Sequence, residues 1–301
     1  MNRLLAISLT IATALTLVCR ANSQTPINSA SAIPGARSHF ANFDTNKVHY
    51  LTIGKGAKTV VFIHGWSCNS GFWREQVPAL ADKASLVLID LPGHGKSDKP
   101  HVTYSMDFFA RAVLAVMRDA RVNKATLVGH SMGTPVICRV HQQAPDKVAA
   151  LVAVDGILRR PQMKPEDVER FTGPYRTPEY RAHATNFIRS MFPNPGSEIL
   201  RDRVLSEMLT TPQYVMSGAM DGMFGADQPA WDLPAVTVPV LVLNAKNPMW
   251  SSDYETWVKS LSPRTDYRVF EGVGHFLMLE KPAGVNAALV AMLEPFDLVK
   301  K

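Results

Sequence analysis

Five consecutive residues, Gly129-His130-Ser131-Met132-Gly133, place a hydroxyl between two glycines directly after the apolar pair Leu127-Val128. A serine hydroxyl is a weak nucleophile until a neighbouring base takes its proton, so the residue type alone carries no chemistry. The context carries more. Ala125 to Val128 reads as a strand and Met132 to about Gln143 as a helix, so the chain must turn sharply at Ser131, with glycines where the backbone comes close. The start of that helix offers unpaired N–H groups and the positive end of its dipole to a developing oxyanion. The plainer alternative is a serine helix cap in a glycine-bounded turn. A second residue suited to proton transfer, His275, stands between Gly274 and Phe276 in a short loop before the final helical stretch.

The elements that must position these residues follow from the hydrophobic pattern. Phe40 to Asp44 and Val48 to Ile53 read as a hairpin around Thr45-Asn46-Lys47. Apolar, β-branched runs then alternate with helical stretches. Thr59–Ile63, Leu86–Ile89, Ala125–Val128 and Val148–Val154 are strands, and Phe72 to Asp82 and Met106 to Ala120 have amphipathic helical patterns. Continuous apolar strands separated by helices predict an α/β protein, a parallel sheet covered on both faces. The alternation stops over residues 157–235, where prolines, charges and short helical pieces carry Met163, Met191, Met208, Met216, Met220 and Met223. It resumes with Val238–Asn244, Asp253–Leu261, Tyr267–Phe270 and Pro282–Leu293. One domain with an inserted helical lid is the simplest account, with core segments 38–156 and 236–301. The lid methionines, with Phe187, Phe192, Phe224 and Trp231, either line an adaptable apolar cleft or form the lid's own core.

Bulk properties narrow the class. A chain of 301 residues at 46% hydrophobic composition can bury one good core and a small accessory unit. The formal charge of +6 is spread along the chain without a Lys/Arg-rich run, which argues against a nucleic-acid partner. No Cys or His spacing suits a metal, and no cofactor is expected. Residues 1–23 have the layout of a secretory signal peptide: Arg3, an apolar run Leu4–Val18, and small residues Ala21-Asn22-Ser23. The run is short of the about 20 apolar residues a spanning helix needs, so no membrane span is expected in the mature protein; a retained anchor is the alternative. Residues 24–37, rich in Ser, Asn, Ala and Pro, read as a linker. Export would permit a disulfide between Cys68 and Cys138, but their placement after a strand and within a helix favours two free, partly buried thiols.

Four stretches in order make the chain resemble the α/β-hydrolase superfamily over roughly residues 38–295. They are Val60-Val61-Phe62-Ile63-His64-Gly65-Trp66, Ile89-Asp90-Leu91-Pro92-Gly93-His94-Gly95-Lys96-Ser97-Asp98, the serine turn, and Gly272-Val273-Gly274-His275-Phe276. The resemblance implies an eight-stranded, mostly parallel sheet with helices on both faces and a cap inserted after the sixth strand. It implies Ser131 as nucleophile, His275 as its base, and the main-chain N–H groups of Trp66 and Met132 as the oxyanion hole. His64 and His94 would brace loops, and His130 would pack beside the nucleophile.

The acid departs from the family pattern. Relatives usually carry it after the seventh strand, where Val240–Leu243 is here followed by Asn244-Ala245-Lys246-Asn247-Pro248, with Asn247 at the expected step. An amide cannot stabilise an imidazolium as a carboxylate does. Asp155, at the tip of the sixth strand, is the preferred replacement; some superfamily members place the acid there, and the order Ser, Asp, His is kept. Asp253 is the alternative acid, or else the N-cap of the next helix. A weakened triad is the third reading.

The resulting expectation is a serine hydrolase acting on a small apolar carboxylic ester. Lactonase, C–C hydrolase and perhydrolase activities fit the same residues, and a hydrolase-fold binding protein with weak turnover is the reading from another class. The N-terminal segment makes the first prediction. Exported protein should begin near Asn22 or Gln24, and N-terminal sequencing that finds Met1 retained would establish the anchor instead.

Overall fold

The strands form where apolar runs can be buried on both faces. In the computed structural model, which describes residues 33–225 and 228–294, every residue of β5 (Ala125–His130) and β7 (Val240–Ala245) is buried. The proposed signal peptide, residues 1–23, lies outside the described residues. The eight strands are β1 (Arg37–Phe43), β2 (Asn46–Gly54), β3 (Thr59–Ile63), β4 (Ser85–Ile89), β5, β6 (Val148–Val154), β7 and β8 (Thr265–Phe270). They make one sheet in the order β1-β2-β4-β3-β5-β6-β7-β8. The β1–β2 and β2–β4 pairs are antiparallel and all others parallel, with Ile63 opposite Gly129, His130 opposite Val154 and Val154 opposite Leu243. Parallel pairing among β3 to β8 carries these six strands to the same edge, so the loops after β3, β4, β5, β6, β7 and β8 share one end of the sheet.

Helices flank the sheet: α1 (Val77–Leu80), α2 (Met106–Asp119), α3 (Gly133–Gln143), α8 (Ser252–Ser260), α9 (Leu277–Glu280) and α10 (Pro282–Leu293). The longest, α2, is begun by Ser105, whose hydroxyl accepts from the Phe108 N–H, with Asp107 in its first turn and Arg118 in its last. Each charge sits at the dipole end that favours it. Between β6 and β7 the chain forms α4 (Pro165–Thr172), α5 (Tyr180–Ser190), α6 (Glu198–Met208) and α7 (Gln213–Phe224). The feet of this insertion are joined by the Leu233 N–H donating to the Leu158 carbonyl at 2.8 Å. No described helix is long and apolar enough to cross a membrane.

Two expectations are corrected. The amphipathic stretch Phe72 to Asp82 is not one helix but a short turn, Ser70–Trp73, and the four-residue α1. Pro78 sits in the first turn of α1, where its missing N–H costs nothing, yet a helix running through it would clash with the carbonyl four residues back. The linker ends earlier than residue 37. Ile33 is buried, the Ala36 N–H donates to its carbonyl at 3.1 Å, and Arg37 already belongs to β1.

Three histidines, His64, His94 and His130, are wholly buried, as His49 also is. Burial disfavours the imidazolium, so all three titrate below the usual 6.5, His94 at about 3, with the neighbouring His64 adding to its shift. In the unfolded chain each binds a proton near 6.5, so the unfolded state gains protons first as pH falls. The stability they contribute is therefore complete above about pH 6.5 and lost progressively below it. Asp90 acts lower. Burial works to raise its pKa, but the His49 imidazole and the Lys96 and Ser70 N–H groups hold it at about 2, so its contribution is lost only as pH falls from about 4 toward 2. Thermal melts should show Tm falling between pH 7 and 5, with His94→Gln flattening that fall. A Tm independent of pH over this range would contradict the burial argument.

Candidate active site

Ser131 stands where β5 turns into α3, and the turn leaves no slack. Its φ is +50°, a left-handed conformation that costs a residue with a side chain about 1–3 kcal/mol. Packing around the strained turn leaves room only for glycine on either side of Ser131. A Cβ on Gly129 would come within 2.3 Å of the Gly133 carbonyl oxygen, and one on Gly133 within 2.4 Å of that of Ile63. The Ser131 N–H donates to the Val154 carbonyl at 3.1 Å and its own carbonyl accepts from the Thr134 N–H at 2.9 Å, tying the turn to β6 and α3.

Asp155 follows β6 directly and is also left-handed, with φ +43°. Its N–H donates to the Leu243 carbonyl, and one carboxylate oxygen accepts from the Ala245 N–H at 2.8 Å. The other accepts from His275 Nδ1 at 2.6 Å. The carboxyl side chain is 8% exposed. Because a carboxylate only accepts, Nδ1 must carry the proton and Nε2 is left with its lone pair. The two acids thus have different fates. Asp253 is exposed in the first turn of α8 and makes no hydrogen bond to His275. It is not the helix cap either, since the Ser251 hydroxyl accepts from the Tyr254 N–H. Asn247 is exposed, and its side chain accepts from the Met249 N–H at 2.9 Å.

Trp66 and Met132 bracket Ser131. Among the described residues neither main-chain N–H donates to another protein group, unlike those of Cys68, Ser131 and Thr134 around them. The Trp66 loop is fixed from three sides. His64 Nε2 accepts from the Leu91 N–H at 3.0 Å, so its Nδ1–H donates to the Gly65 carbonyl at 2.7 Å. The Trp66 indole N–H reaches the Met216 carbonyl of α7 at 2.9 Å. Asp90 accepts from the Ser70 N–H at 2.6 Å, the Lys96 N–H at 2.9 Å and His49 Nδ1 at 2.8 Å. His49 carries no signal in the sequence, yet it anchors the buried carboxylate that shapes this loop. His94 Nδ1 bonds the Pro92 carbonyl at 3.0 Å.

Ser131, Asp155, His275, Trp66 and Met132 all line one cavity of about 470 Å³. Met163, Met191, Met208, Met220 and Met223 line it too, with Phe187, Phe224 and Trp231, whereas Met216 and Phe192 belong to the packed interior. Cys68 and Cys138 are free and fully buried. Burial pushes both thiols well up, so neither is a ready nucleophile. Among the described residues no group of His, Cys, Asp or Glu could hold a metal ion.

With this geometry in view, sequence comparison places the chain in a family. A profile of the alpha/beta hydrolase family matches residues 60–288, and the chain belongs to that family. It is similar to the dihydrolipoyllysine-residue acetyltransferase component of the acetoin cleaving system of Cupriavidus necator, 26% identical over 278 residues, covering 88% of this chain and 72% of that protein. Among solved structures it resembles an esterase from Exiguobacterium antarcticum at TM-score 0.76 and 20% identity, covering 85% of this chain and 99% of the other. An enol-lactonase from Burkholderia xenovorans LB400 superposes at TM-score 0.75 and 19% identity, with the same shares of 85% and 99%. These structural likenesses show the fold.

The two acids separate cleanly by experiment. Asp155→Asn should cut turnover by about 10⁴, the loss seen when a histidine's carboxylate partner becomes an amide. Asp253→Asn should leave turnover and Tm close to wild type. The reverse ranking in steady-state kinetics would move the acid to the loop after β7.

Proposed function

We propose that this chain is an exported serine hydrolase that cleaves a small apolar carboxylic ester through an acyl-enzyme. The observation that carries the reading is the 2.6 Å bond from His275 Nδ1 to buried Asp155, which leaves Nε2 free in the cavity that Ser131 lines. In the proposed sequence, Nε2 takes the Ser131 proton as Oγ attacks the ester carbonyl carbon. Charge then develops on the carbonyl oxygen, toward which the Trp66 and Met132 N–H groups are offered; one such donor is typically worth about 10²–10³ in rate. The imidazolium, stabilised by Asp155, returns the proton to the leaving alkoxide. Water, activated in the same way, hydrolyses the acyl-enzyme and frees Ser131.

The substrate class rests on the lining. Methionine and aromatic side chains dominate the walls, which favours an apolar acyl or alcohol group of modest size over a charged one. Two solved structures of the same fold carry the names esterase and enol-lactonase, in keeping with this reading. A binding protein with weak turnover would be favoured by a histidine without a carboxylate partner. Asp155 supplies a carboxylate to His275 from β6 instead, and that favours turnover.

Ser131→Ala and His275→Ala should each remove nearly all hydrolysis of short-chain nitrophenyl esters, by about 10⁴ or more, with circular dichroism unchanged. A fluorophosphonate probe should label wild-type protein at Ser131. Activity of either variant within about tenfold of wild type would sink the assignment.

A further inference from the structure

The loop that carries His275 is held from outside the sheet, by the segment joining α5 to α6. The His275 N–H donates to the Met191 carbonyl at 3.0 Å. Phe276 stacks on Phe192 with ring centroids 5.3 Å apart and planes 13° from parallel. Gly274 lies so close that a Cβ there would fall 2.2 Å from the Met191 oxygen and 2.9 Å from Pro193 Cδ. Glu280, at the end of α9, completes the junction. One oxygen accepts from the Gly274 N–H at 2.9 Å and the other from the Ser197 hydroxyl at 3.1 Å. Its carboxyl is half-buried, and burial raises its pKa, while the Gly274 and Ser197 donors work the other way.

We infer that Glu280 is a positioning residue that couples the inserted helices to the base, by clamping the main chain of Gly274 and the side chain of Ser197 at once. The inference rests on the proposed serine-hydrolase reading. Its physical content is geometric. His275 is directed by Asp155 at its ring, its carbonyl accepts from His130 Nε2 of β5 at 2.9 Å, its N–H is located by Met191, and Gly274 is located by Glu280. Met191 and Pro193 also line the cavity. A segment that lines the cavity therefore shares in locating the base, with His130 and Asp155 holding it from the sheet. A misplacement of about 1 Å in such a group can cost about 10²-fold in rate without touching ground-state binding.

The experiment uses the exported protein with a short nitrophenyl ester, and reads kcat, KM, fluorophosphonate labelling rate and Tm. Labelling of the unmodified protein is scored first. If it fails, the serine-hydrolase reading falls and this inference falls with it. Given labelling, Glu280→Ala should lower kcat by roughly 10- to 100-fold with KM nearly unchanged, and slow labelling in proportion. Glu280→Gln should recover most of that loss, because its amide oxygen can accept from Gly274 N–H and its NH₂ can donate to the Ser197 hydroxyl. Ser197→Ala cuts only the bond to the inserted helices and should fall between wild type and Glu280→Ala. A wild-type kcat in Glu280→Ala overturns the inference, as does a Glu280→Gln as impaired as the alanine variant. A wild-type kcat in Ser197→Ala overturns the coupling to the insertion. Should Glu280→Ala fail to fold, the glutamine and Ser197 variants decide the matter alone.

Discussion

The Asp155 carboxylate is the constraint around which this molecule is arranged. Its two oxygens reach two parts of the chain that are remote in sequence, the Ala245 N–H at the end of β7 and the His275 ring after β8. To present them, Asp155 must leave β6 in a left-handed conformation and sink to 8% exposure. A buried carboxylate is costly unless hydrogen-bonded, and here each oxygen has a donor. The bond to His275 also sets that histidine's tautomer. Without it, the mechanism proposed above would lack a base with a fixed tautomer beside Ser131.

A second buried carboxylate does the same work on the other side of Ser131. Asp90 accepts from His49, Ser70 and Lys96 and so shapes the loops after β3 and β4, while His64 links Leu91 to Gly65. These are neutral or paired groups in a buried layer, where each hydrogen bond is strong and each unpaired group expensive. The N–H of Trp66 is held by this layer and by its own indole, which is bonded to α7. The inserted helices thus meet both halves of the proposed machinery, the oxyanion loop through Trp66 and the base loop through Met191 and Glu280. Residues of these helices line the cavity and bond the loops that carry its polar groups.

Much of this architecture was legible in the residues themselves. Apolar β-branched runs announced the parallel strands, and Pro282–Leu293 matches the last helix at both ends. The helical pattern over Phe72–Asp82 misled because periodicity is blind to the steric limit that Pro78 imposes. Ser131 and His275 were legible because glycine spacing and loop position are local properties of the chain. His49 and Glu280 were not, and Met191 was legible as a lining candidate but not as the holder of His275, since what makes each of them matter is a partner 41, 6 or 84 residues away. Glu280 alone had a faint local signal, a carboxylate shortly after the histidine loop.

The sequence by itself determined the alternation of strand and helix, the strained serine turn and the interruption between β6 and β7. Each follows from side-chain size, branching and backbone freedom over a few neighbouring residues. It left Asp155 and Asp253 both open as partners of His275, because both follow a strand and neither neighbourhood states a distance. Tertiary structure decided between them. Parallel pairing places Val154 beside Leu243 and so sets the tip of β6 next to β7, within reach of the loop after β8, whereas the first turn of α8 leaves Asp253 in solvent. A hydrogen bond is fixed by separation in space, and only the folded sheet supplies that separation.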